Sequence, residues 1–125
     1  MKTIETKHAP AAIGPYSQAV EANGNLYVSG QIPFDPVTME LVSEDVKKQT
    51  EQCLKNIDAI VKEAGYVKEN IVKCVIFIKD MNDFAIINDA YTDYFGNHKP
   101  ARACVEVARL PRDVLVEIDA IAAKA

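Results

Sequence analysis

The 125-residue chain has no tryptophan, two histidines (His8 and His98) and three cysteines (Cys53, Cys74 and Cys104). An odd cysteine count without CxxC spacing predicts free thiols in a reducing compartment rather than a disulfide framework. Two histidines with no HxxxH and no Cys/His cluster leave a zinc centre without ligands, so no metal is expected. There is no GxGxxG, no P-loop and no GxSxG, so neither a nucleotide cofactor nor a serine acyl-transfer site is supported. No apolar run reaches the roughly 20 residues of a membrane span, and no signal-peptide pattern opens the chain; the expectation is a cytoplasmic protein with no membrane partner. Positive charge is also short. Fourteen Lys and Arg stand against 18 Asp and Glu, a net charge of −4, which disfavours a phosphate backbone as partner.

What is present is ordinary for a folded domain: 49% hydrophobic and 26% charged residues. The length predicts one domain over residues 1–125. Thr3–Thr6 reads as a short edge strand. The stretch 9–16, with two prolines and a glycine, reads as a loop. Asn23-Gly24 between two β-rich runs (17–22 and 25–31) predicts a hairpin, because those residues accept the positive φ of a tight turn. Residues 33–41 form a further loop. Ser43 is the expected cap of a first helix, with Glu44 and Asp45 in its first turn. Its apolar stripe is Val46, Cys53, Leu54, Ile57, Ile60, Val61 and Ala64, and Gly65 stops it. Residues 71–79 are apolar on both faces, which marks a central strand covered on both sides. Asn82 or Asp83 is expected to cap a second helix with Phe84, Ile87, Tyr91 and Phe95 inward and Gly96 at its end. With both helices on one sheet face, a second copy of the chain is the natural cover for the other. The order β-β-β-α-β-α-β-β predicts an α+β layer, a sheet with helices on one face.

The stretch from Pro100 to Ala123 holds the chemistry. Two alternating runs flank the turn-like Leu110-Pro111-Arg112-Asp113. In the first, Arg102, Cys104 and Glu106 share a face opposite small apolar residues. In the second, Glu117 and Asp119 share a face with Leu115 and Ile121. Such alternation is most often a solvated sheet face. A face half apolar and half charged suits a cleft or a subunit contact better. Three other positions carry paired readings. Tyr16, directly after Gly14-Pro15, covers the core edge or serves a site. Gly30 marks a bulge or a close ligand approach. Asn88, four residues after Phe84 and three before Tyr91, bonds a loop or points into a cleft.

Four segments carry a resemblance: Ala12–Gln18 (AIGPYSQ), Ser29–Pro33 (SGQIP), Pro100–Val105 (PARACV) and Val116–Ala120 (VEIDA). Together they are similar to the RidA family, also called the YjgF family. The resemblance implies a chorismate-mutase-like fold: a mixed six-stranded sheet with two helices on one face. It places the last strand away from a simple hairpin partner, with the 71–79 strand between it and the 101–108 strand. It also implies a homotrimer with three inter-subunit sites. Arg102 matches a residue that grips the substrate carboxylate. Glu117 matches one that positions water, and Cys104 one whose backbone contacts the ligand. Tyr16, Ser29, Gly30 and Asn88 match other substrate-binding positions. The implied activity is hydrolysis of 2-iminobutanoate, 2-iminopropanoate or their enamine tautomers to 2-oxo acids and ammonia, with no cofactor. The alternative is a non-catalytic 2-oxo acid binder. This chain departs from many relatives in the short Gly96–Lys99 loop, with Lys99 where an aromatic is common, and in Asp119 where glutamate is common.

Overall fold

Asn23 and Gly24 adopt φ of 53° and 77°, the left-handed pair that a tight hairpin requires. They join β2 (Ala19–Ala22) to β3 (Asn25–Gln31), with Ala22 opposite Asn25. The computed structural model describes residues 1–125 and adds β1 (Lys2–Ile4), α1 (Val46–Glu63), β4 (Ile71–Ile78), α2 (Phe84–Phe95), β5 (Ala101–Glu106) and β6 (Val116–Ala123). The edge strand β1 ends two residues before the expected Thr6. The Thr6 N–H donates instead to Gln18 Oε1, at 2.7 Å, which takes it out of strand pairing.

The six strands lie in the order β1-β2-β3-β6-β4-β5. β6 is antiparallel to both β3 and β4, so β3 and β4 run parallel with a one-strand gap that β6 fills. α1 connects that parallel pair, and α2 connects β4 to the parallel β5. Crossovers between parallel strands of one sheet share a handedness, which puts both helices on the same face. Between them and the sheet lies the core: Cys53, Ile57 and Ile60 of α1, Ile76 of β4, Ile87 of α2 and Ile118 of β6 are all buried.

Both helix starts differ in detail from the sequence reading. Asp45, not Ser43, caps α1, accepting from Lys48 N–H at 3.0 Å, while Ser43 Oγ accepts from Asp45 N–H. A short 3₁₀ turn over Met81–Asp83 precedes α2, and Asp80 caps that turn; Asp83 makes no side-chain cap. In both places a turn that supplies its own hydrogen bonds precedes the helix and moves the cap.

Polar residues on the buried stripe of α1 tie loops to the core. Gln49 Nε2 donates to Ser43 O, and its Oε1 accepts from Leu115 N–H. Asn56 Nδ2 donates to the carbonyls of Ile32 and Phe34, holding the 33–42 loop against the helix. Gln18 does the same for the N-terminal loop: its Nε2 contacts the carbonyls of Thr6, Ala9 and Pro10 at 3.1, 3.3 and 2.8 Å. Replacing Gln18 by Ala strands these buried groups, a loss of roughly 2 kcal/mol or more. The expected result is a thermal midpoint lower by roughly 5–10 °C. A midpoint within a degree of wild type in differential scanning calorimetry would show that Gln18 does not anchor the loop.

Candidate active site

The strand registers decide which side of the sheet each charged residue meets. On β5, Arg102, Cys104 and Glu106 sit beside Cys74, Ile76 and Ile78, the residues of β4 that face the helices. On β6, Glu117 and Asp119 sit beside Phe77 and Val75, on the helix-free face. The two charged faces read from the sequence therefore point to opposite sides of one sheet.

Glu117 lies in a cleft of about 630 Å³ shared with Tyr16, Ser29, Gly30, Ile32, Phe34 and others. The loop that brings Tyr16 there is held at its base by Gln18. At its tip, Tyr16 N–H donates to Gly14 O at 2.9 Å across Pro15, a three-residue turn for which proline supplies the φ. Tyr16 is half exposed at the cleft and does not cover the core edge. The β3–β6 pairing shifts register between Val28 and Gln31. That bulge carries Ser29, whose hydroxyl donates to Ser17 O at 2.6 Å, and Gly30. The Gly30 position is filled by Glu117: a Cβ there would lie 2.3 Å from Glu117 Oε2 and 3.0 Å from its Cδ. Of the sequence alternatives for Gly30, the bulge is realised, and the group that approaches the glycine closely within the chain is the Glu117 side chain.

The Glu117 carboxylate accepts no hydrogen bond from protein groups, although its neighbour Asp119 accepts from Val75 N–H at 2.9 Å. Burial raises the Glu117 pKa above the ordinary carboxylate range, and the charge of Asp119 raises it further. Burial likewise raises Asp119, with the Val75 N–H and Lys73 opposing. A partly desolvated carboxyl with free lone pairs in a cleft can hold a water and exchange a proton with it.

The second group lies along α2. Phe84, Asn88 and Tyr91 fall at i, i+4 and i+7, so they form one stripe. The Arg102 guanidinium rests 5.6 Å from the Phe84 ring centroid and 5.0 Å from that of Tyr91. Arg102 Nη1 donates to Asn88 Oδ1 at 2.7 Å. Asn88 thus steadies the arginine, and the remaining N–H groups of the fork are available to an anion. Arg102 also borders a smaller cleft of about 400 Å³ with His98, Lys99 and Pro100. Cys104 is half buried against the core. Burial raises its thiol above the ordinary cysteine range and Arg102 offsets only part of this, so it is protonated at neutral pH.

The structure brings Tyr16, Ser29, Gly30 and Glu117 together in one group, and Asn88 and Arg102, with Cys104 on the same strand face, in another; it does not bring the two groups together within one chain. Sequence reasoning missed Arg112, which lines the Glu117 cleft. Its only signal was a long charged residue in a turn beside the Glu117 strand. The anchors Gln49 and Asn56 were missed too, although both fall on the α1 stripe spacing.

The profile of the family described as Endoribonuclease L-PSP matches residues 6–124. The chain belongs to this family, the RidA or YjgF family. A RidA relative from Salmonella typhimurium, named 2-iminobutanoate/2-iminopropanoate deaminase, is 53% identical over 98% of both chains. A RutC family protein of Pyrococcus horikoshii is 54% identical over 98% of both. Among solved structures, Escherichia coli TdcF with bound serine superposes with a TM-score of 0.96 at 48% identity, covering all of both chains. The RidA sheet of six strands with two helices, expected from four short motifs, is the observed one.

Proposed function

We propose that this protein hydrolyses small 2-imino acids to 2-oxo acids and ammonia, at sites built from two copies of the chain. The carrying observation is the Glu117 carboxyl: half-buried, without a protein donor, raised in pKa and set over Gly30 in an open cleft. Arg102 supplies the complementary half, a guanidinium held by Asn88 and two aromatic rings. Because the halves lie on opposite sheet faces, a site that uses both takes Arg102 from one subunit and Glu117 from its neighbour. The helix-free sheet face supports such an assembly: Tyr27 and Val105 are 47% and 41% exposed, and no helix covers them. A closed homotrimer would pair each half with the next subunit's complement. The related TdcF structure contains serine, an amino acid whose carboxylate adjoins a nitrogen-bearing carbon. The deaminase name of the Salmonella relative points to the same chemistry.

In the proposed reaction the Arg102 fork binds the substrate carboxylate and fixes the imine carbon beside the water held by Glu117. Glu117 takes a proton from that water as the oxygen bonds to carbon and the C=N π bond opens onto nitrogen. It returns the proton to nitrogen, giving a carbinolamine; Glu117 then takes the hydroxyl proton and passes it to nitrogen as the C=O bond forms, the C–N bond breaks and ammonia leaves. A raised pKa makes Glu117 a stronger proton acceptor toward water than an ordinary carboxylate. No atom changes oxidation state, so the scheme balances with water alone.

The test couples a serine or threonine dehydratase to the protein and follows 2-oxo acid release above the spontaneous rate. Wild type is expected to accelerate release. Glu117→Gln is expected to lower kcat at least tenfold with a smaller change in 2-oxobutanoate binding. Binding of 2-oxobutanoate without acceleration would make the protein a 2-oxo acid binder. A loss in Glu117→Gln confined to binding would remove the acid–base role.

A further inference from the structure

The Glu117 cleft holds a cation as well as a carboxyl. Arg112 lines it beside Phe34, Met39 and Ile32, and its guanidinium sits 5.3 Å from the Phe34 ring centroid. Arg109 occupies Asp113 with contacts of 2.8 and 3.3 Å, so the acid next to Arg112 is already taken. Arg112 itself makes no ion pair, since the chain's two are Lys62–Asp58 and Arg109–Asp113. Its backbone is held in an unfavourable conformation: Arg112 and Asp113 are consecutive non-glycine residues with φ of 58° and 56°. Within that turn Asp113 N–H donates to Leu110 O at 3.0 Å, and Leu110 is buried. Ile32, Phe34 and Met39 give the same cleft an apolar lining. A cleft of this size belongs with those that hold ligands much larger than a four-carbon imino acid.

We infer that Arg112 receives a second anionic group on the substrate, which extends the substrate class to 2-imino dicarboxylates. This rests on the reading of the Glu117 cleft as the hydrolytic site. The first carboxylate goes to Arg102 of the adjoining copy, the imine carbon meets the water of Glu117, and the side chain follows the apolar lining to Arg112. The bond changes are those already given: water adds, the C–N bond breaks, ammonia leaves, and the distal carboxylate is untouched. A guanidinium over an aromatic ring keeps its fork free for a planar carboxylate, which a lysine would hold only as a point charge.

The experiment generates 2-iminoglutarate and 2-iminobutanoate in situ from the amino acids with a flavin amino-acid oxidase and compares kcat/KM for the two. In Arg112→Ala the dicarboxylate-to-monocarboxylate ratio is expected to fall about 10- to 50-fold, as for loss of a charge-assisted contact. Arg112→Lys should keep part of the ratio, and Arg112→Glu should lower it below that of Arg112→Ala. A purely structural role would lower both rates together and leave the ratio in place, which would overturn the inference. So would a wild-type enzyme that hydrolyses 2-iminobutanoate and ignores 2-iminoglutarate; in both cases the deaminase reading stands. Calorimetric binding of 2-oxoglutarate separates the opposite failure. If neither imine is hydrolysed but 2-oxoglutarate binds in an Arg112-dependent way, the anion site stands and the catalytic reading falls.

Discussion

Subunits carrying Arg102→Ala and subunits carrying Glu117→Ala are each expected to lose imine hydrolysis by at least about 10²-fold, and to regain it when the two kinds are assembled together. Arg102 is on β5 and Glu117 on β6, with β4 between them, so their strands lie about 10 Å apart. Their side chains leave opposite faces, because Arg102 is in register with the helix-facing Cys74 and Glu117 with Phe77 on the other side. No rotamer change carries either one through a hydrogen-bonded sheet. If each site draws its arginine and its glutamate from different chains, one of the two drawn chains in a mixed site can be intact at each position. A random equal mixture should recover about a quarter of wild-type activity, since each half is intact one time in two. Coexpression followed by the dehydratase-coupled assay measures this, with light scattering to confirm assembly. A mixture no more active than its parents, yet fully assembled, would place both residues' work within one chain or remove one of them from the site.

Gly30→Ala is the second large effect expected. The added methyl would overlap Glu117 Oε2 at 2.3 Å and press on its Cδ and Cγ at 3.0 and 3.3 Å. Gly30 has an ordinary negative or extended φ, so backbone strain is not at issue. The atoms in the way are the end of a flexible side chain, so the fold can give by rotating Glu117, at a cost on the order of 1–2 kcal/mol. The site cannot give as easily. Moving the carboxylate by an ångström would displace the water that the proposed reaction places on it, and misplacements of that size are worth about 10²-fold in rate. The expected variant is folded, with a thermal midpoint a few degrees below wild type, and nearly inactive on 2-iminobutanoate. A variant with wild-type kcat would show that the position of Glu117 over Gly30 does not matter to turnover.

Both predictions turn on register, which sequence patterns carry only within a strand. Alternation showed that Arg102 and Cys104 share a face and that Glu117 and Asp119 share a face. It said nothing about which side of the sheet each face meets, because that depends on which strands are neighbours. The turn-like Leu110–Asp113 joins β5 to β6 in sequence, yet the strands are separated by β4. The resemblance to the RidA family supplied that order, and local pattern alone would have paired them.

The sequence by itself determined the elements and their stops: the Asn23-Gly24 turn, the two amphipathic helices ended by Gly65 and Gly96, and the doubly apolar β4. These are local consequences of φ preference and of hydrophobic period, so they are written in short windows. Its four motifs also named the family and most of the candidate site. Only the tertiary structure decided that the candidate residues form two groups on opposite faces, that Glu117 packs over the Gly30 bulge, and that Arg112 enters the same cleft. Each of those depends on non-local strand pairing and on separate loops pinned by buried Gln18, Gln49 and Asn56. Long-range contacts of that kind arise when the sheet closes around β6, after which a residue read as part of a turn becomes the wall of a site.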